Sequence, residues 1–306
     1  MIEKIISRKP EFRDVNNTIK WVGDQLSLTN DGKLELFFIG VGSAFATSMN
    51  QSNLLLVKGN THLLIDCGMT GPMALNQTAG LKLTDIEAIF PTHSHADHIG
   101  GIEGIALMNR YVGQRFFKKP KTKMIITEEY QRILWDYSLR GGLEYNEELI
   151  GVRKMQFSDY FDIERPRWKC RQPREMFEID FNLNNTGKKE DTINLEIFRT
   201  THIPEQSSKW EASFVSYGLF IDNKVLVSGD TKFDPELIDI YGDRAETIFH
   251  DIQFFSGGVH TDLKELKTLP THIKRKLYPY HYADDFEKHD ISEFAGWTKQ
   301  GCRYIF

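Results

Sequence analysis

Apolar positions along this chain fall into short runs punctuated by glycine, asparagine and aspartate, the pattern of buried strands separated by turns. Leu34 to Ile39 reads as a buried strand, and Gly40-Val41-Gly42-Ser43 as the tight turn after it. Ser52 to Val57 and His62 to Ile65 form a hairpin about Gly59-Asn60. Pro72 to Ala79 has helical character and a closing Gly80, and Ile86 to Phe90 is again strand-like. Ile102, Ile105, Ala106 and Met108 recur at helical spacing within Ile99 to Tyr111. A strand at Lys123 to Ile126 and a helix at Glu128 to Leu139 follow. Regular alternation returns at Asn194 to Arg199, then in a second hairpin, Ser213 to Ile221 and Lys224 to Val227, about Asp222-Asn223. Asp234-Pro235 opens a helix as N-cap and first position. Thr247 to Phe254, Leu277 to Tyr280 and Cys302 to Phe306 read as later strands, with helices at Asp262 to Leu269 and His272 to Lys276. Strands first, helices interspersed and paired hairpins predict an α/β domain with mixed sheets.

Two stretches are weaker in pattern. Residues 1–33 are polar with scattered apolar positions (Ile5, Ile6, Phe12, Ile19, Trp21, Val22), and are expected to be a short helix or hairpin packed on a main domain of residues 34–306. Residues 141–190 read as an insertion. It holds acidic Glu144, Glu147 and Glu148, then a basic run from Arg165 to Arg174 with Trp168, then a loop at Asn182 to Lys189. The basic run could serve as an arm for an anionic substrate or partner, and a solvated surface segment is the simpler reading.

Composition narrows the class. The chain has 306 residues, 40% hydrophobic and 26% charged, enough for a sizeable core. A net charge of -5 gives no electrostatic case for binding structured nucleic acid. Cys67, Cys170 and Cys302 are few, scattered and odd in number, which argues against a disulfide framework or thiolate zinc site and fits a reducing, cytoplasmic setting. No secretory leader pattern precedes Val15, and no apolar stretch has the length of a membrane span, so no membrane partner is expected.

The chemistry concentrates at Thr92-His93-Ser94-His95-Ala96-Asp97-His98, directly after an apolar run. In an extended segment His93 and His95 point the same way and can reach one ion. Asp97 and His98 lie where the chain turns into a helix and can reach a second. Imidazole and carboxylate suit zinc, with iron and manganese as alternatives, rather than calcium or magnesium. His202, Asp230 and His281 also follow predicted strands. The set divides into His93, His95 and His202 for one ion, Asp97, His98 and His281 for the other, and Asp230 as the bridge. Such a pair of divalent ions activates a hydroxide near neutral pH. Asp66, leaving a buried strand, is either a turn cap or a support for a metal ligand.

These residues resemble the metallo-β-lactamase superfamily, whose H-x-H-x-D-H pattern is met by His93, His95, Asp97 and His98, with later matches at His202, Asp230 and His281 and a strand-end acid at Asp66. The resemblance spans about Leu34 to Tyr282 and implies a four-layer αβ/βα sandwich with two mixed sheets. Gly40 to Ser43, His250-Asp251-Ile252-Gln253 and His260-Thr261 further resemble ribonuclease Z and its phosphodiesterase relatives. The resemblance implies that Asp251 orients His260, that His260 contacts phosphate or protonates a leaving oxygen, and that Asp97 belongs to the catalytic set. The Gly-rich, basic tRNA-binding arm of ribonuclease Z has no recognisable counterpart in residues 141–190. The expectation is a dinuclear hydrolase, zinc-dependent first, cleaving a small phosphodiester or cyclic nucleotide through a metal-bridging hydroxide. Hydrolysis of an ester, lactone or thioester at the same ligands is one alternative, and a di-iron oxygen-binding sensor without turnover is another. A homodimer is expected by analogy with such relatives.

Overall fold

The apolar runs Leu36 to Ile39, Leu54 to Val57 and Leu63 to Ile65 are almost wholly shielded from solvent, and each fully buried Leu or Phe among them contributes about 1.5–3 kcal/mol. In the computed structural model, which describes residues 11–12, 18–20, 25–147 and 153–306, they form the centre of the first of two sheets. Ile5, Ile6, Trp21, Val22 and Glu148 lie outside the described residues. The strands in chain order are β1 (Glu11–Phe12), β2 (Thr18–Lys20), β3 (Glu35–Gly40), β4 (Asn53–Lys58), β5 (Thr61–Ile65), β6 (Ala88–Phe90), β7 (Thr122–Ile125), β8 (Phe161–Glu164), β9 (Arg167–Cys170), β10 (Met176–Phe181), β11 (Ile193–Arg199), β12 (Tyr217–Ile221), β13 (Val225–Val227), β14 (Thr247–Asp251), β15 (Leu277–Tyr280) and β16 (Cys302–Ile305). One sheet runs β1-β2-β16-β3-β4-β5-β6-β7-β8 and the other β15-β14-β13-β12-β11-β10-β9. Both mix parallel and antiparallel pairs.

The sheets face each other through aromatic side chains. Phe38 on β3 lies 4.8 Å from Phe249 on β14, Tyr304 on β16 lies 4.9 Å from the same ring, and Phe90 on β6 lies 6.4 Å from Tyr217 on β12. The opposite face of the second sheet is covered by the helix Pro235–Tyr241, whose Tyr241 ring sits within 4.9 Å of Phe198 and 4.8 Å of Phe220. Helices Gly71–Ala79, Ile102–Met108 and Glu128–Leu134 flank the first sheet and turn buried faces inward. This is the αβ/βα sandwich of the metallo-β-lactamase fold. Among the described residues no helix is long and apolar enough to cross a membrane.

Local signals account for most boundaries. Gly59 turns the β4–β5 hairpin at φ +56°, where an added Cβ would lie 2.4 Å from the Glu190 carbonyl oxygen. Asp222 and Asn223, at φ +51° and +54°, form the mirror-image turn that suits a right-twisted hairpin. Asp234 caps its helix by accepting from the Leu237 N–H. Segment 141–190, expected as an insertion, carries β8, β9 and β10, so it completes the far edges of both sheets. Its alternation is hard to read because β9 is a four-residue edge strand, whose Arg167 and Lys169 share one face and pair with Glu178, which blunts the sheet edge. At the other end β1 and β2 pair antiparallel and β2 joins β16.

Candidate metal centre

Six strand ends meet at one rim of the sandwich. β6 delivers Thr92 to His95 and the short helix Ala96–Ile99 that carries Asp97 and His98. Asp66 leaves β5, His202 follows β11, Asp230 follows β13, Asp251 ends β14 and His281 follows β15. The period of two explains the placement on β14: Phe249 faces the other sheet, and Asp251, on the same side, reaches the rim. Two turns at the centre hold unusual backbones, since Asp66 has φ +62° and His281 φ +61°, a region that non-glycine residues rarely occupy without support. The loop after Asp66 is fastened to the ligand helix: Cys67 N donates to His98 O at 2.8 Å and Gly101 N to Cys67 O at 2.7 Å.

The donor atoms converge in two groups that share one carboxylate. In the first, His95 Nδ1 lies 3.0 Å from His93 Nε2 and 3.1 Å from His202 Nε2, while Asp230 Oδ2 lies 3.7 Å and 3.8 Å from the latter two. In the second, His98 Nε2 lies 3.3 Å from Asp97 Oδ2 and 3.2 Å from Asp230 Oδ2, and His281 Nε2 lies 3.1 Å and 3.5 Å from the same two oxygens. A tetrahedral shell with bonds of about 2.0–2.1 Å sets neighbouring donors about 3.3 Å apart, and both groups have that scale. Further support for a fit is that Asp230 Oδ1 and Oδ2 and His98 Nε2 are buried without a hydrogen-bond partner among the described residues. An orphaned buried carboxylate is costly unless a cation completes it.

Neighbouring groups aim these ligands. Asp66 Oδ2 accepts from His98 Nδ1 at 2.7 Å, and Asp66 is itself held by the Thr92 N–H at 2.7 Å and the Thr92 hydroxyl at 2.8 Å. His202 Nδ1 donates to Val259 O at 2.8 Å. Each bond turns Nδ1 away from the centre and aims Nε2 toward it. Burial pushes His202 down to about 4, lowers His93 well below the usual imidazole range and lowers His95 too, so all three are neutral, the form that binds metal. Burial opposes ionisation of Asp230, but His281, His98 and His93 hold its carboxyl well below the usual range. Burial likewise opposes charge on His98, yet Asp230, Asp97 and Asp66 together hold its imidazole well above its ordinary value.

His260 stands beside this core. Its Nδ1 lies 2.7 Å from Asp251 Oδ2 and 3.9 Å from Asp230 Oδ2. Asp251 is fully buried, and its Oδ2 also accepts from the Thr231 N–H at 3.2 Å. Burial disfavours a charged His260, but the Asp251 hydrogen bond and the Asp230 charge raise it above its ordinary value. A cleft of about 750 Å³ opens from His260 and Thr201 past Lys232, Lys209 and Trp210, a size suited to a small organic substrate.

The structure thus brings His93, His95, Asp97, His98, His202, Asp230 and His281 together, with Asp251 and His260 alongside. Asp66 takes the supporting position rather than a simple cap. Sequence reading gave no role to Thr92 or to the Val259 carbonyl, and weighed Gln172 and Pro173, which line the cleft, only as part of the basic run Arg165 to Arg174. A hydroxyl, a carbonyl and a surface loop acquire such roles only through tertiary contacts. The segment Arg165 to Arg174 reaches the cleft only through its last residues. Its Arg174 is buried and engaged by Asp234 and Glu236, and Arg171 stacks over Trp210.

Residues 34–304 match the sequence profile of the family described as Anti-Pycsar protein Apyc1. A protein of that name from Bacillus phage 010DV004 is 34% identical over 278 residues, covering 89% of this chain and 98% of the relative. One from Paenibacillus sp. (strain J14) is 34% identical over 257 residues, covering 83% and 91%. Among solved structures, the metallo-β-lactamase fold protein YhfI from Bacillus subtilis superposes with a TM-score of 0.61 at 14% identity, over 90% of this chain and 100% of its own. A diphosphatase of the PhnP family gives 0.59 at 12% identity over 89% and 98%, and the short form of human tRNase Z gives 0.55 at 15% over 83% and 94%. These structural likenesses establish the fold.

Proposed function

We propose, on the premise that the chain belongs to the Anti-Pycsar protein Apyc1 family, that it is a dinuclear metal-dependent phosphodiesterase acting on a small phosphodiester, a cyclic nucleotide foremost. The relatives' name describes a role against Pycsar, and that role comes to this chain as part of the same proposal. The observation that carries the reading is the 2.7 Å pair of His260 and Asp251 beside the shared carboxylate Asp230. The leaving alkoxide of a diester needs a proton, and His260 is placed to give it; an ester or lactone also expels an alkoxide, so the substrate screen below separates those reactions. When bound, two divalent ions supply Lewis acidity, activation of water and neutralisation of charge at phosphorus. His93, His95 and His202 would hold one, Asp97, His98 and His281 the other, and Asp230 both. Zinc suits this donor set, with iron and manganese the alternatives.

The chain's own residues do the rest. Asp251 fixes the Nδ1 proton of His260, which leaves Nε2 as the nitrogen that donates to the departing oxygen. The raised basicity of His260 keeps that proton available near neutral pH. The burial of Asp97, Asp230 and Asp251 keeps their carboxylates out of bulk solvent, which strengthens their interaction with cations. The cleft beyond His260 accommodates the remainder of the substrate.

The test is a screen of cyclic nucleotides, linear diesters, lactones and thioesters on one preparation whose metal content is measured. Cleavage of a cyclic nucleotide by protein carrying two ions per chain is the expected result. Turnover of lactones or thioesters alone, or an iron-loaded coloured protein that hydrolyses no diester, overturns the reading.

A further inference from the structure

Asp284 lies three residues beyond His281, outside the ligand set, and its carboxylate is unusually well furnished with donors. Oδ1 accepts from Thr47 N at 3.0 Å, Ser48 N at 3.0 Å and Ser48 Oγ at 2.7 Å. Oδ2 accepts from Thr47 N at 2.9 Å and Thr47 Oγ1 at 2.7 Å. These donors belong to the loop of residues 43–49, which follows β3 and is far from Asp284 in sequence. The loop is tied at its base, where Gly42 N donates to Asn50 O at 2.8 Å and Gln51 Nε2 to Ala44 O at 3.2 Å. An added Cβ at Gly42 would lie 2.7 Å from the Ala46 Cβ and from Met49, so the loop folds closely over this residue.

The loop also grips the residue next to the ligand. Ser43 N donates to Tyr282 O at 3.1 Å, and Tyr282 N donates to Val41 O at 3.3 Å. The turn that presents His281 is therefore held twice against the same loop, through the Tyr282 backbone and through the Asp284 carboxylate. His281 itself is in the left-handed region at φ +61°, a conformation that persists only where its surroundings over-determine it. Its Nε2 must stay near Asp97 and Asp230 for the second ligand group to exist. The first group, His93, His95, His202 and Asp230, has no residue on this turn.

We propose that Asp284 is a positioning residue: by fastening loop 43–49 to the His281 turn it sets the affinity of the second metal position and leaves the first unaffected. This rests on the reading of His281 as a ligand, not on the substrate proposed above. The test is metal retention. Purified protein is dialysed against stepped concentrations of a chelator, and the metal left per chain is measured. The parent's release profile is the reference, and Asp284→Ala is expected to release the ion of the second position at about ten-fold less chelator, the low end of what losing a ligand's own hydrogen-bond partner costs, because the exposed Asp284 acts on His281 only through the turn. The other ion should leave at the parent's level. Asp284→Asn, which keeps an acceptor oxygen, should lie between. If Asp284→Ala does not fold, Ser48→Ala and Thr47→Val, each removing one side-chain donor, should produce a smaller weakening of the same ion. Equal retention of both ions by parent and variants overturns the proposal, as does equal weakening of both positions. A parent that binds a single ion instead overturns the dinuclear reading itself, so the two failures are separable.

Discussion

Asp230 answers to both ligand groups at once, and among the described residues its two oxygens have no hydrogen-bond partner. Asp230→Asn keeps the volume and removes the charge. It is expected to lose both ions together and to lower hydrolysis by at least about 10²–10³-fold, the scale of a removed transition-state stabiliser. Retention of one ion at parental affinity would contradict the shared role. His260 calls for a different comparison. His260→Ala should keep both ions and lower turnover of an alkyl-leaving diester by about 10²–10⁴-fold, with a smaller loss for a nitrophenyl diester, whose leaving group needs no proton. Equal losses on the two substrates would remove the proton-donor role. His98 governs the pH dependence of loading. Its carboxylate neighbours hold its proton well above the ordinary range in the metal-free centre, so a cation must displace it. Apparent affinity should rise with pH through neutrality, with about one proton released per chain on filling the second group. Calorimetry in buffers of differing ionisation enthalpy reads this directly, and identical heats in all buffers would exclude it.

At the scale of elements, the turn Asp66-Cys67-Gly68 does two jobs: it supports His98 and packs its backbone on the ligand helix. A Cβ at Gly68 would lie 1.9 Å from the Asp97 carbonyl oxygen, so Gly68→Ala must push the Asp97 turn outward. The expected outcome is a folded protein, judged by circular dichroism, with a weakened second metal position. The strand β5 carries a separate pH signature. His62 is buried, its Nε2 accepts from the Glu87 N–H at 3.0 Å, and burial pushes it down to about 4. The unfolded chain binds that proton at about 6.5, so stability is full above that pH and is lost as pH falls toward 4, by up to about 3 kcal/mol. His62→Gln, which retains an acceptor, should flatten the decline in melting temperature over this window, and parallel declines would refute the assignment. The legible elements share a cause. The hairpins at Gly59-Asn60 and Asp222-Asn223, the Gly80 stop and the Asp234 cap are local rules, visible without tertiary context. β8, β9 and β10 do alternate, with Phe161 and Ile163, Trp168 and Cys170, and Phe177, Ile179 and Phe181 each on one face, but the runs are short and set among charged residues, which masks the period. The helix beginning at Ile102 was read to Tyr111 but runs on through a wide turn, Asn109–Gln114, to Phe117, since no proline or glycine cap stops it.

On the scale of the molecule, the centre joins the two sheets at an otherwise open rim, β5 and β6 from one and β11, β13, β14 and β15 from the other. The sandwich could be inferred from resemblance, and the ligand set from strand-end histidines and aspartates. The Asp284 clamp, the Thr92 support and the cleft wall could not, because each joins residues far apart in sequence through groups that are ordinary when read singly. Ions that bind the folded state alone stabilise it by mass action, by about 4 kcal/mol at a thousand-fold excess over Kd. Removing metal with a chelator should therefore lower the melting temperature, and adding zinc back should restore it. An unchanged melting temperature would mean that the sheets are held without help from the centre.

The order of ligands along the chain sets a timetable for assembly. A polypeptide emerging from the ribosome presents His93, His95, Asp97 and His98 before the other ligands, but the first group closes only when Asp230 has been made, and the second waits for His281. The second group therefore cannot close before the first, and any product truncated before β15 lacks the His281 ligand.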